Sequence, residues 1–94
     1  MSYHLFYHPL VLKEDLPPLN KDIKARIKSG IENRLLKEPA LYGKPLRYSL
    51  KSLWSLRIGD YRVVYKIEKI EITILKIGHR KEAYNNLFTR ASLS

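Results

Sequence analysis

Arg57, Arg62 and Arg80 carry permanent positive charge, and Tyr84 adds a phenol four residues beyond the last of them. Guanidiniums grip phosphate oxygens in a planar, bidentate fork and neutralise the charge that gathers on a phosphodiester during displacement. A tyrosine beside them can exchange a proton or stack on a base. His79 and Lys81 flank Arg80, so a basic and aromatic cluster, "GHRKEAY", follows at once on the apolar run "ITILKI". This set suits phosphoryl displacement on a nucleic acid. No carboxylate cluster of the kind that holds Mg²⁺ accompanies it, so chemistry without a metal or other cofactor is expected. His4 and His8 stand four apart, a spacing compatible with a metal, but they lack a third ligand and read as surface residues. A nucleophile elbow, a phosphate-binding glycine loop and a Rossmann fingerprint are all missing from the sequence.

Composition agrees with an anionic partner. The 94 residues hold 18 Lys+Arg against 9 Asp+Glu, a net charge of +9 at pH 7. So large an excess on so short a chain points to nucleic acid, a membrane surface or an acidic protein. Apolar residues at 45% and charged residues at 29% fit a folded globular chain and not a disordered one, and the length fits one domain, 1–94. There is no cysteine, hence no disulfide framework and no thiolate metal site. Residues 1–13 lack the charged start and long apolar core of a signal peptide, and no run approaches membrane-spanning length. A cytoplasmic protein without a membrane partner is expected.

The elements that must position the cluster can be read from periodicity. "YHLFYH" (3–8) reads as a first strand, and a brief helix from Pro9 to about Asp15 is ended by Pro17 and Pro18. Asn20 is placed to cap a long helix over about 21–38. Ile23, Ile27, Ile31 and Leu35 recur every four residues and give that helix one apolar stripe, with Lys21, Lys24, Lys28, Arg34 and Lys37 on its other sides. From Leu46 onward the pattern alternates instead. "LRYSL", "LWSLRI", "YRVVYKI" and "IEITILKI" are four successive strand candidates. The expected fold is α+β: a helical hairpin packed on a twisted antiparallel sheet of four to five strands, with a short C-terminal helix or tail.

Gly59-Asp60 reads as a two-residue turn, glycine supplying the positive φ of type II′. That turn sets Ile58 opposite Tyr61, Arg57 opposite Arg62, Leu56 opposite Val63 and Trp54 opposite Tyr65. The apolar members share one face, which must be the core. A second turn at 68–69 would add Ile67, Ile70, Ile72 and Ile74 to that face and oppose Lys66 to Glu71. The other face then carries Ser55, Arg57, Arg62, Val64 and Leu75, with Lys51 in line if the strand is unbroken. Like charges directly opposed repel by a few tenths to about 1 kcal/mol. Either an anion sits between Arg57 and Arg62, or the two side chains splay into water or share a carboxylate. The scarcity of acidic residues favours the anion.

"GKPLRYSLKSLWSLRIGDYRVVYKI" (43–67) and "IGHRKEAY" (77–84) together resemble the RelE/ParE superfamily of bacterial and archaeal toxin–antitoxin toxins. The resemblance spans most of the chain. It implies the fold just described and one of two targets, since RelE-like toxins cut mRNA in the ribosomal A site and ParE-like toxins poison DNA gyrase. In the ribonuclease branch an arginine in the "YRVVY" strand, an arginine just after the last strand and a C-terminal tyrosine serve the active site. Arg62, Arg80 and Tyr84 match these, which favours a ribosome-dependent mRNA endoribonuclease over a gyrase inhibitor or an inactive basic RNA-binding module. RelE toxins also use lysines on the preceding strand, where this chain has Leu53 and Ser55, with Arg57 a little further on. By this likeness Arg62, Arg57, Arg80 and Tyr84 are the catalytic candidates. Lys51, Ser55, His79 and Lys81 are the expected RNA-phosphate contacts. The expected partners are the ribosome, mRNA and an acidic antitoxin, with gyrase under the alternative.

Overall fold

The computed structural model describes residues 3–38, 42–46, 53–80 and 83. Strand β1 (His4–Tyr7) leads into a π-helical turn at Val11–Asp15. Helix α1 (Lys21–Gly30) continues through a second π-helical turn at Ile31–Leu35. Strands β2 (Lys44–Pro45), β3 (Leu53–Ile58), β4 (Tyr61–Glu68) and β5 (Glu71–His79) follow. The sheet order is β1-β5-β4-β3-β2. Neighbours from β2 to β5 are antiparallel, whereas β1 lies parallel to β5, with His4 beside Glu71 and Tyr7 beside Ile74. The sheet is therefore mixed. The helices connect β1 to the rest of the chain, and a connection of that length permits parallel entry at the far edge.

Asn20 caps α1 as its type predicts, its Oδ1 accepting the Ile23 N–H at 2.9 Å. Ile27, Ile31 and Leu35 are buried with Val11 against Leu56, Ile58, Val63, Tyr65, Ile72, Ile74 and Ile77, and Ile23 packs at the margin. Both helical segments thus cover one face of the sheet. Two glycines mark where backbone must come close. A Cβ on Gly30 would meet Ile58 Cδ1 at 2.7 Å, so the helix sits directly on the end of β3. Glycine inside a helix costs about 1 kcal/mol relative to alanine, and here it sets the helix–strand distance. A Cβ on Gly43 would overlap the hydroxyl of the fully buried Tyr65.

The opposite face has its own small apolar cluster, Leu53, Val64 and Leu75, with Leu46 packed against it. At the edge of β5 beyond β1, the buried Asp15 carboxylate accepts the Ile77 N–H at 2.9 Å and lies 3.6 Å from Lys76 Nζ. A side chain thereby satisfies a strand edge that no neighbouring strand covers.

Besides the parallel β1, which replaces the expected all-antiparallel sheet, two expectations change. The second hairpin turns at Lys69–Ile70, not at 68–69, and Lys69 takes φ 54 where glycine would be the easier residue. Ile70 is therefore exposed in the turn, Lys66 faces Thr73, Glu68 faces Glu71, and Lys66 pairs with Glu68 at 3.0 Å along its own strand. Shifting the pairing by an even number keeps Ile67, Ile72 and Ile74 on the core side. The "LRYSL" strand is not seen at Leu46, which follows β2 as irregular chain, and residues 47–50 lie outside the described residues. So does the C-terminal helix or tail. Among the described residues no helix is long and apolar enough to cross a membrane.

Candidate nucleic-acid interface

The first hairpin has the register its sequence dictates: Gly59 takes φ 59 at the turn, and Arg57 stands opposite Arg62. Across β4, Arg62 faces Gly78 on β5. One rung thus runs Arg57–Arg62–Gly78, with no side chain at its β5 end. The next rung is Lys44–Ser55–Val64–Lys76. Cross-strand partners share a face, so both rungs lie on the side away from the helices.

Arg62 is half-buried, and its Nη1 is out of contact with solvent yet makes no hydrogen bond. A buried donor left unmade is unfavourable by about 1–3 kcal/mol, so its presence calls for an explanation outside packing. Arg57 is exposed. Its Nε donates to the Gly59 carbonyl at 3.2 Å, which draws its guanidinium toward the turn. The Arg80 N–H donates to the Asp60 carbonyl at 2.8 Å, so the segment leaving β5 is tied to the same hairpin turn. Arg57, Arg62 and Arg80 are in this way gathered at one end of the sheet. The Ala83 N–H donates to the His79 carbonyl at 2.9 Å. Tyr84, Lys81 and Lys51 lie outside the described residues. Ser55 is half-buried on the rung next to Arg57.

His79 is not brought to the arginines. It pairs with Tyr61, and the two rings meet edge to face with centroids 5.8 Å apart. Tyr61 packs on the helix-side core, so His79 belongs to that face. The cause is a β-bulge: Tyr65 faces Ile74 but Val64 faces Lys76, leaving Leu75 as the extra residue. Past the bulge the parity reverses, which sends Ile77 and His79 to the core side and Gly78 to the arginine side. His8 also departs from the surface position expected for it. It is buried, and its Nδ1 accepts the Leu10 N–H at 3.1 Å. Among the described residues no group of His, Cys, Asp and Glu gathers in a way that could hold a metal ion.

Arg26, which the sequence pattern did not single out, and Arg34, which it placed only among the cations beside the apolar stripe, stand at the other side of Arg57. Arg34 Nη1 donates to the Arg57 carbonyl at 3.4 Å, and Arg26 and Arg34 line a cleft of about 350 Å³ with Arg57. Their spacing, with Gly30 midway, was the available signal: positions 26, 30 and 34 fall on one helical face.

Set beside known proteins, residues 5–84 match the family described as ParE toxin of type II toxin-antitoxin system, parDE. Toxin RelE of Mycobacterium tuberculosis is 40% identical over 72 residues, covering 74% of this chain and 74% of its own length. Toxin RelG of the same organism is 36% identical over 74 residues, 77% of this chain and 85% of its own. The toxin–antitoxin complex RelBE2 from M. tuberculosis contains a chain that superposes with a TM-score of 0.77 at 32% identity, covering 85% of this chain and all of that one. Family match, sequence relatives and architecture agree, and the chain belongs to the RelE/ParE toxins of type II toxin–antitoxin systems.

Proposed function

We propose that this toxin is a ribosome-dependent mRNA endoribonuclease that inhibits translation. The observation that carries the reading is the Arg62 Nη1, buried without a partner on a rung shared with Arg57. An RNA phosphate there would satisfy the donor and relieve the repulsion across the rung. The kinship with toxins named RelE and RelG supports it.

In the proposed reaction the 2′-OH of the RNA attacks the adjacent phosphate. The O2′–P bond forms as the P–O5′ bond breaks, giving a 2′,3′-cyclic phosphate and a 5′-OH. The 2′-OH gives its proton to a base, and O5′ acquires one. Arg62 and Arg57 hold the non-bridging oxygens as charge builds on them, and Arg80 stabilises charge near the leaving oxygen. Tyr84 is assigned as the base or as a stacking platform. A phenol with an ordinary pKa near 10 needs neighbouring cations to act as a base, and the three arginines would supply them. No step draws on a metal ion. The expected protein partner is an acidic antitoxin laid over the cationic face, by analogy with the M. tuberculosis complex.

A second reading, inhibition of DNA gyrase without catalysis, draws on the family description, which names ParE. Primer extension on translated mRNA separates the two. Cuts within codons that vanish in Arg62→Ala and Tyr84→Ala support the nuclease; intact transcripts with trapped gyrase–DNA complexes reject it.

A further inference from the structure

We infer that the cleft between α1 and the outer end of β3 is a second phosphate site, which holds the RNA backbone beside the Arg62 rung without taking part in cleavage. The inference rests on the RNA-directed reading above but adds Arg26 and Arg34, which that reading does not use, to the shared Arg57. The cleft measures about 350 Å³, room enough for a phosphodiester and its sugar. Three guanidiniums line it, from Arg26, Arg34 and Arg57, and among the described residues no acidic side chain does. Among the described residues, none of the three forms a salt bridge.

Two of these arginines are already held in place. Arg57 Nε donates to the Gly59 carbonyl at 3.2 Å and Arg34 Nη1 makes a longer contact to the Arg57 carbonyl at 3.4 Å, so each turns one of five donors to the backbone. The remaining donors need no large rearrangement to meet an anion, which lowers the ordering cost of binding. Gly30 contributes by letting the helix sit against Ile58, and that close seat brings Arg26 and Arg34 to the β3 edge. Ser29, held by the Asn33 side chain at 3.0 Å, adds a hydroxyl to the wall.

The choice of a nucleic-acid backbone over a protein carboxylate follows from Arg57. It is at once the rung partner of Arg62 and a wall of the cleft. Two adjoining anion sites that share one arginine suit a polymer with a charge at every repeat, and a single strand could occupy both.

The test measures binding of a fluorescein-labelled 20-nucleotide single-stranded RNA to the full chain over a NaCl series. Arg26→Ala touches no backbone hydrogen bond described above, and Arg26→Ala/Arg34→Ala removes two cleft cations. Each lost phosphate contact lowers the slope of log K against log salt by about 1, so the expected losses are about 1 and about 2. Ribosome-dependent cleavage by Arg26→Ala should show a raised KM and an unchanged kcat. Unchanged slopes in variants that keep the wild-type melting temperature would overturn the inference. So would competition by hexaglutamate that depends on Arg26 while RNA binding does not, since the cleft would then be a carboxylate site. If the slopes fall as expected but the wild type cuts no transcript, the nuclease reading fails and the second phosphate site stands.

Discussion

In an Arg62→Met variant, an unbranched apolar side chain about as long as arginine's stem replaces a side chain whose guanidinium Nη1 is buried without a hydrogen bond. Two unfavourable contributions leave with it. The unmade donor accounts for about 1 kcal/mol, the lower end of the usual range because Arg62 is only half-buried. The repulsion from Arg57 across the rung adds a few tenths to about 1 kcal/mol. The variant should therefore be more stable by about 1–2 kcal/mol, which for a domain of this size raises Tm by roughly 5–15 °C. Cleavage of translated mRNA should be lost at the same time. Inorganic phosphate supplies a second readout. If it binds at Arg62 with a Kd of about 10 mM, 100 mM phosphate stabilises the wild type by about 1.4 kcal/mol through that site. The methionine variant should lack that increment, and phosphate held elsewhere cancels in the comparison. Thermal melts of both proteins with and without phosphate provide the measurement. A lower Tm for the variant, or equal phosphate responses, would refute the claim that Arg62 waits for an anion.

Gly43→Ala should destabilise the fold by about 3 kcal/mol or prevent folding, because the new Cβ meets the buried Tyr65 ring 2.8 Å from Cζ; urea midpoints at constant m-value check it. Asp15→Ala removes the acceptor of the Ile77 N–H and leaves Lys76 without its carboxylate, so a loss of about 2–3 kcal/mol is expected. Asp15→Asn should recover part of that, and hydrogen exchange at Ile77 should rise only in the alanine variant. Burial raises the pKa of the Tyr65 phenol, and burial with help from Glu32 raises that of Tyr7. The unfolded chain then releases these protons first, so stability is retained below the ordinary tyrosine pKa near 10 and falls as pH rises above it. Alkaline unfolding followed by tyrosinate absorbance should show a shallower decline in Tyr65→Phe.

Much of this molecule could be read locally. The stripe at Ile23, Ile27, Ile31 and Leu35, the cap at Asn20 and the Gly59 turn each depend on residues a few positions apart. The structure reproduces all three. The arginine rung follows from that turn by counting. What escaped depends on distant or irregular features. The parallel entry of β1 is decided by a crossover that no short window contains. The bulge at Leu75 left a trace in "ITILKI", where Ile74 and Leu75 break the alternation. Counting straight through it puts His79 on the same face as Arg62, where the structure does not. The left-handed Lys69 went unread because the sequence offers no glycine there. The cleft arginines were hidden for another reason: Arg26 and Arg34 gain meaning only when Gly30 seats the helix on Ile58.

The placement of β5 between β1 and β4 has a consequence for how the protein comes into being on the ribosome. The first strand synthesised must wait for Glu71–His79, the last of the described strands, before it can pair. Loop closure over such a span is entropically demanding, and contacts this distant in sequence slow folding. The Arg57–Arg62 rung belongs to the local β3–β4 hairpin and does not depend on that closure, whereas the β1 edge does. The β1 edge of the sheet is completed only when the hub strand β5 inserts.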